Sequence, residues 1–229
     1  MGMGCTHVSQ PHVTLHRALS PPLLALSAGE EAQPTSITLL GNLVRHSDVL
    51  FEDTPGFEVV LRDAATGDTW KLRYALPEGR RIPFPSNEEI RITLEGPALR
   101  NTPATASADT YLSLMAFNSS GDLLALVNES EALPPEQWSP WMTLRKTREL
   151  TYRETVQGGG SCLVVRDHAR VEIRGSSGQG MVTLEPGTSA GIETVQGRYD
   201  FTLLDHARTT RSNCANPPAD RLSFILLRP

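Results

Sequence analysis

The chain has 229 residues, 39% of them apolar, and a formal net charge of −5. That length buries a core without metals or several disulfides, either as one large all-β unit or as two units of about 100 residues. The acidic balance argues against nucleic acid, which calls for a basic surface to displace phosphate counterions, and no stretch reaches the ~20 apolar residues of a membrane span.

Residues 1–36 carry little regular patterning and read as an extended arm or tether. Cys5 follows Gly4 as the lipidated cysteine of bacterial lipoproteins does, which makes it a candidate lipidation site and the only expected route to a membrane. The apolar signal such a cysteine needs does not precede it within residues 1–4. His7, His12 and His16 follow at metal-donor types but at no closed zinc spacing, and Pro11 breaks any helix that would align them. LSPPLLALSAG, residues 19–29, is expected to be extended, because paired prolines favour polyproline geometry.

From Ile37 short apolar runs alternate with turn signals: ITLLGNLV, FEVVLRD, TWKLRYAL and IRITLEG carry the period of half-buried strands. DAATGDT between the second and third suits a tight hairpin at Gly67–Asp68. TYLSLMAF, NSSGD and LLALVNES repeat strand, turn, strand. The domain expected over residues 37–132 is therefore a β-sandwich. A linker over residues 133–141, LPPEQWSPW, then breaks the pattern, since its prolines cannot donate to a ladder. Trp138 and Trp141 plug a junction there or offer an aromatic platform to a sugar ring.

Residues 142–229 are strand-like again and contain an echo. ETVQGGGSCLVVRDHAR begins at Glu154, and ETVQGRYDFTLLDHAR begins at Glu193. Two motifs in the same order point to a duplicated unit of three or four strands. The expected fold class is all-β, a sandwich or jelly-roll-like architecture whose C-terminal half is an internal duplication. Cys162 and Cys214 fall one per copy and are expected to pair. Asp167, His168, Arg170, Asp205, His206 and Arg208 have two readings. If symmetry converges them, two imidazoles and two carboxylates suit a metal ion. If not, Asp serves a strand-end turn and Arg a salt bridge to it or to the neighbouring copy.

GMVTLEPGTSAGIE, with Gly180 five residues before Pro186–Gly187, resembles the second motif of the cupin barrels. The resemblance implies a jelly-roll rhythm of strand, turn, strand. The family's metal-binding His would follow the turn, where this chain has Ala190-Gly191-Ile192, and its H-x-H companion is absent. No G-x-S-x-G elbow occurs, and no helix pattern follows the GGGS of residues 158–161. No cofactor is expected. The function expected is non-enzymatic: an extracytoplasmic binding or structural protein of a bacterial envelope, showing a β surface to an envelope protein or a glycan. The alternative is a metal-binding jelly roll or metal-dependent enzyme built on the doubled Asp-His-Ala-Arg.

Overall fold

The computed structural model describes residues 23–27, 36–51, 53–95, 109–110, 113–129, 142–157, 162–177, 180–215, 217 and 220–229. Cys5, the N-terminal histidines, the 133–141 linker, Trp138 and Trp141 lie outside them. Within the described residues the chain forms β1 (Leu23–Ser27), β2 (Ser36–Phe51), β3 (Thr54–Arg62), β4 (Thr69–Ala75), β5 (Glu89–Glu95), β6 (Asp109–Thr110) and β7 (Ser113–Phe117). It continues with β8 (Leu123–Asn128), β9 (Met142–Gln157), β10 (Leu163–Gly175), β11 (Val182–Leu184), β12 (Thr188–Thr194), β13 (Gly197–Ser212) and β14 (Arg221–Leu227). Apart from a 3₁₀ turn at Pro77–Gly79 no helix is described, and no helix among the described residues is long and apolar enough to cross a membrane.

All-β, sandwich-like architecture follows from one hydrogen-bonded path of antiparallel strands, β11-β10-β13-β14-β8-β7-β5-β2-β3-β4-β1-β6, with β9 on β10 and β12 on β13. Two apolar cores fill it. One gathers Leu61, Leu72, Tyr74, Ile82, Ile90 and Ile92. The other gathers Ile173, Tyr199, Phe201, Leu203, Phe224 and Leu226. Strands β7, β8 and β14 send side chains into both: Val127 and Ile225 reach the first core, Leu126 and Phe224 the second. Being covered on both sides, β8 is buried at every position. Its continuous apolar run LLALV suits that place better than the half-buried face the alternating pattern implied.

The predicted turns form as their chemistry requires. Asp63 Oδ1 accepts the Ala65 and Thr66 amides at 2.7 and 3.0 Å, and Gly67 takes φ +78°. Asn118 Oδ1 accepts the Asp122 amide at 2.8 Å, and Gly121 takes φ +82°. In the stretch read as an arm, Leu23–Ser27 pairs with β4, so LLALS is extended as a sheet strand. It sits past the two prolines, where every residue has a donor for the ladder.

Both ETVQG…DHAR stretches occupy matching places in the topology. In each, ETVQG lies at the end of an incoming strand, β9 or β12, and DHAR lies in the outgoing partner, β10 or β13. Each outgoing strand then pairs with its successor, β10 with β11 and β13 with β14. In the second copy the ETVQG chemistry is visible. Gln196 Oε1 accepts the Leu123 amide at 3.0 Å, and Thr194 Oγ1 bonds the Gly197 carbonyl at 2.9 Å. Gly175 packs against this turn so closely that a Cβ would fall 1.6 Å from the Glu193 carbonyl oxygen, so only glycine fits.

Candidate functional site

The two Asp-His-Ala-Arg motifs meet. β10 and β13 run antiparallel with Asp167 opposite Arg208 and His168 opposite Ala207, so each tetrapeptide lies beside the other. Directly opposed residues share a face and neighbours alternate. His168 therefore lies on the face of Ala207 and Asp205, and its Nδ1 meets Asp205 Oδ1 at 2.7 Å. His206 is paired with Leu222 of β14 and lies on the other face, with Arg208. The imidazoles are on opposite sides of the sheet, which separates them for any shared ion. Among the described residues no group of three His, Cys, Asp or Glu side chains is placed to hold a metal.

The arginines of the motifs look elsewhere than to the motifs' own aspartates. Arg170 bonds Glu185, and Arg208 Nε reaches Asp220 Oδ2 at 3.4 Å. Both ties run to the segments flanking β11 and β14, so the arginines fasten each outgoing strand to the element that follows it. Asp167 and Ala169 are buried while His168 and Arg170 are half-buried, the alternation the tetrapeptide implies for a strand.

Beside His168 and Asp205 a polar group collects on the same face. Ser223 stands opposite Asp205 and its Oγ bonds Glu129, and Arg221 Nη1 lies 4.0 Å from Asp205 Oδ2. Burial pushes the Glu129 carboxyl up; the Ser223 bond and Arg221 oppose this, and the nearby Asp205 charge adds to it. Just outside the seam, Cys162 and Cys214 form a disulfide with Cα atoms 4.9 Å apart. It joins the residue before β10 to the second residue after β13, where the Asn213 amide also bonds the Leu163 carbonyl at 3.2 Å.

A second site escapes the sequence motifs. In β2 the register slips at Val44, a bulge that brings His46 opposite Val59, on the core side. The ring packs edge-on against Phe57 and Phe84, at centroid distances of 5.7 and 5.4 Å. The segment RRIPFPSN, residues 80–87, crosses above it. Pro83 and Pro85 bar it from a ladder, yet it alternates like a strand: Ile82 and Phe84 are buried, Arg81 and Pro83 exposed. The Tyr74 hydroxyl accepts the Ile82 amide at 2.9 Å and meets His46 Nε2 at 2.8 Å. Arg81 donates from Nε to His46 Nδ1 at 3.3 Å and from Nη2 to the His46 carbonyl at 2.8 Å. With Nδ1 accepting, the neutral imidazole carries its proton on Nε2.

These elements enclose a cleft of about 520 Å³, lined by Arg45, His46, Arg81, Pro83, Ser86 and Asn87 among others. Behind it the buried Glu58 bonds both Arg45 and Arg73, the latter at 2.9 Å. Burial alone would raise this carboxyl; hydrogen bonds from Arg73 and Arg45 outweigh it and hold the group below the usual range. Adjoining is a second cleft of about 630 Å³, lined by Arg80, Arg81, Pro83, Ser189, Asp200 and Arg228 among others. Gly191 leaves room on its floor for the Arg198 guanidinium, whose Nη2 would stand 2.5 Å from a Cβ there.

Burial and then the Arg81 charge lower His46 to about 4, with Asp48 opposing them. The unfolded chain takes up this proton near 6.5 and the folded one only near 4, so folding stability is present above pH 6.5 and is lost as pH falls through that window. The full shift would be worth about 3 kcal/mol, and half-burial reduces the expected effect to about 1 kcal/mol. Urea unfolding at pH 7 and pH 4.5 should show this loss in the parent and a smaller one in His46→Gln. Chemically, the cleft offers cationic forks and hydrogen-bonding groups. Comparison of the chain with known protein families, with curated proteins and with solved structures finds no match.

Proposed function

We propose that this chain is a non-enzymatic binding or structural protein of an extracytoplasmic compartment, presenting its β surface to an envelope protein or a glycan. The observation that carries the reading is what the doubled motif does in the fold. His168 of one motif bonds Asp205 of the other across the seam between β10 and β13, the motif arginines tie down neighbouring strands, and a disulfide closes the end of that seam. Residues that would otherwise suggest chemistry serve a rigid scaffold, and recognition surfaces built on rigid elements hold their geometry best. The cysteine bridge supports an oxidising compartment, where such bonds form and persist. The matching motif positions in two successive meanders support duplication of a unit of three or four strands.

Thiol trapping tests this directly. Native cells are treated with a membrane-impermeant alkylating reagent, and the protein is then mapped without reduction. A Cys162–Cys214 cross-linked peptide in the envelope fraction is the expected result. Free thiols at both positions in a cytoplasmic fraction would overturn the reading.

A further inference from the structure

We infer that the two adjoining clefts form one elongated site for an anionic polysaccharide, with Arg81 at its centre. The inference rests on the binding reading above and names the ligand class. Arg81 and Pro83 line both clefts, so they form the ridge over which a single chain would lie. In a protein of net charge −5, Arg45, Arg80, Arg81 and Arg228 converge on this one surface, while among the described residues Asp200 is the one acidic side chain lining either cleft. Local charge of one sign in a concave wall concentrates ligands of the other.

Arg81 differs from its companions. Arg45 is bonded to Glu58, Arg80 to Glu78 at 3.0 Å, and Arg228 to Asp122 at 3.1 Å. Among the described residues no carboxylate lies within 4.0 Å of Arg81. Its two bonds to His46 use Nε and one Nη2 hydrogen, and with its place 5.4 Å over the Phe57 ring they fix the plane of the guanidinium, leaving the end-on pair of Nη1 and the second Nη2 hydrogen to a ligand. A neutral His46 accepts from it without repelling it. A fixed, uncompensated fork is the geometry that takes a carboxylate through two parallel hydrogen bonds.

The rest of the lining distinguishes among polyanions. Asp200, Asn87, Ser86 and Ser189 are acceptors or two-way partners suited to hydroxyl groups that donate and accept. A run of acidic peptide side chains brings carboxylates with no hydroxyl to donate to Asp200. Single-stranded nucleic acid binds through aromatic platforms, and the cleft's aromatic ring, Phe84, is buried at 9% exposure. A sugar acid polymer supplies both spaced carboxylates for the arginines and hydroxyls for the remaining groups.

The test uses the full oxidised chain and calorimetric titration with polygalacturonate oligomers. Poly-L-glutamate, single-stranded DNA of matched charge and neutral dextran are run alongside. Saturable, salt-sensitive binding of the uronate is expected, at least tenfold tighter than any of the three others. Arg81→Gln should weaken it at least tenfold. Ser86→Glu, at an exposed position, should do the same with the thermal midpoint unchanged, which keeps the test independent of any folding defect in the arginine variant. The inference is overturned if the uronate does not bind, if both variants bind as the parent does, or if the peptide or DNA binds as tightly. An oxidised envelope protein that ignores polygalacturonate would sink the ligand class alone, whereas reduced cytoplasmic cysteines would sink the binding reading beneath it.

Discussion

Phe224→Ala is expected to lower the free energy of unfolding by about 3–5 kcal/mol, the range for truncating a buried aromatic side chain. Phe224 has no exposed surface and belongs to the second core. Its ring stacks on Phe201 with centroids 5.1 Å apart and planes 12° from parallel, a contact worth about 0.5–1.5 kcal/mol beyond area burial. Its backbone is held on both sides, by Leu203 of β13 and Asn128 of β8, so the sheet has little freedom to collapse into the vacated volume. In a chain of this length the melting point should fall by roughly 10 °C. Phe224→Leu, which keeps most of the volume, should cost clearly less. Urea unfolding of the two variants checks both statements. A loss below about 1 kcal/mol in the alanine variant would mean Phe224 is not packed in the second core as described.

Reduction of Cys162–Cys214 comes next in size. The bridge closes a loop of 52 residues, and constraining the unfolded chain over that length is worth about 4 kcal/mol in the chain-entropy account. A Cys162→Ser, Cys214→Ser double variant should therefore melt roughly 10 °C below the oxidised parent. Parent and variant should converge in the presence of reductant, and that convergence separates loop entropy from any damage done by serine. Failure of reductant to move the parent would show that the cysteines are not bridged in solution.

How much of this was legible depends on the range of the interaction concerned. Local chemistry was: Asp63 and Gly67 set a hairpin, and Asn118 and Gly121 set another, because their side chains and φ values act within five residues. One cysteine close to each of the two Asp-His-Ala-Arg stretches pointed to the Cys162–Cys214 pair. The double burial of β8 was not legible, since LLALV reads the same whether one or both of its faces are covered. Strand lengths were also obscured. ITLLGNLV looks eight residues long, yet β2 runs from Ser36 to Phe51, because the bulge at Val44 lets it pair with β5 in its first half and β3 in its second. The motif arginines were expected to bond an aspartate of the motif or the neighbouring copy. They reach Glu185 and Asp220 instead, as strand alternation carries Arg170 away from Asp167 to the other face. The arginine clefts left no local signature at all. His46 and Arg81 are 35 positions apart, and only the β2 bulge and a proline-barred segment bring them together.

The central claim is that the doubled Asp-His-Ala-Arg is a seam between strands and not a metal centre. It is tested most directly by a double-mutant cycle on His168→Ala and Asp205→Ala, read by urea unfolding with and without EDTA. The account predicts a coupling of about 1 kcal/mol for this part-buried, charge-assisted hydrogen bond, unchanged by the chelator. A coupling that vanishes in EDTA, together with one equivalent of zinc lost from both His168→Ala and His206→Ala, would contradict it.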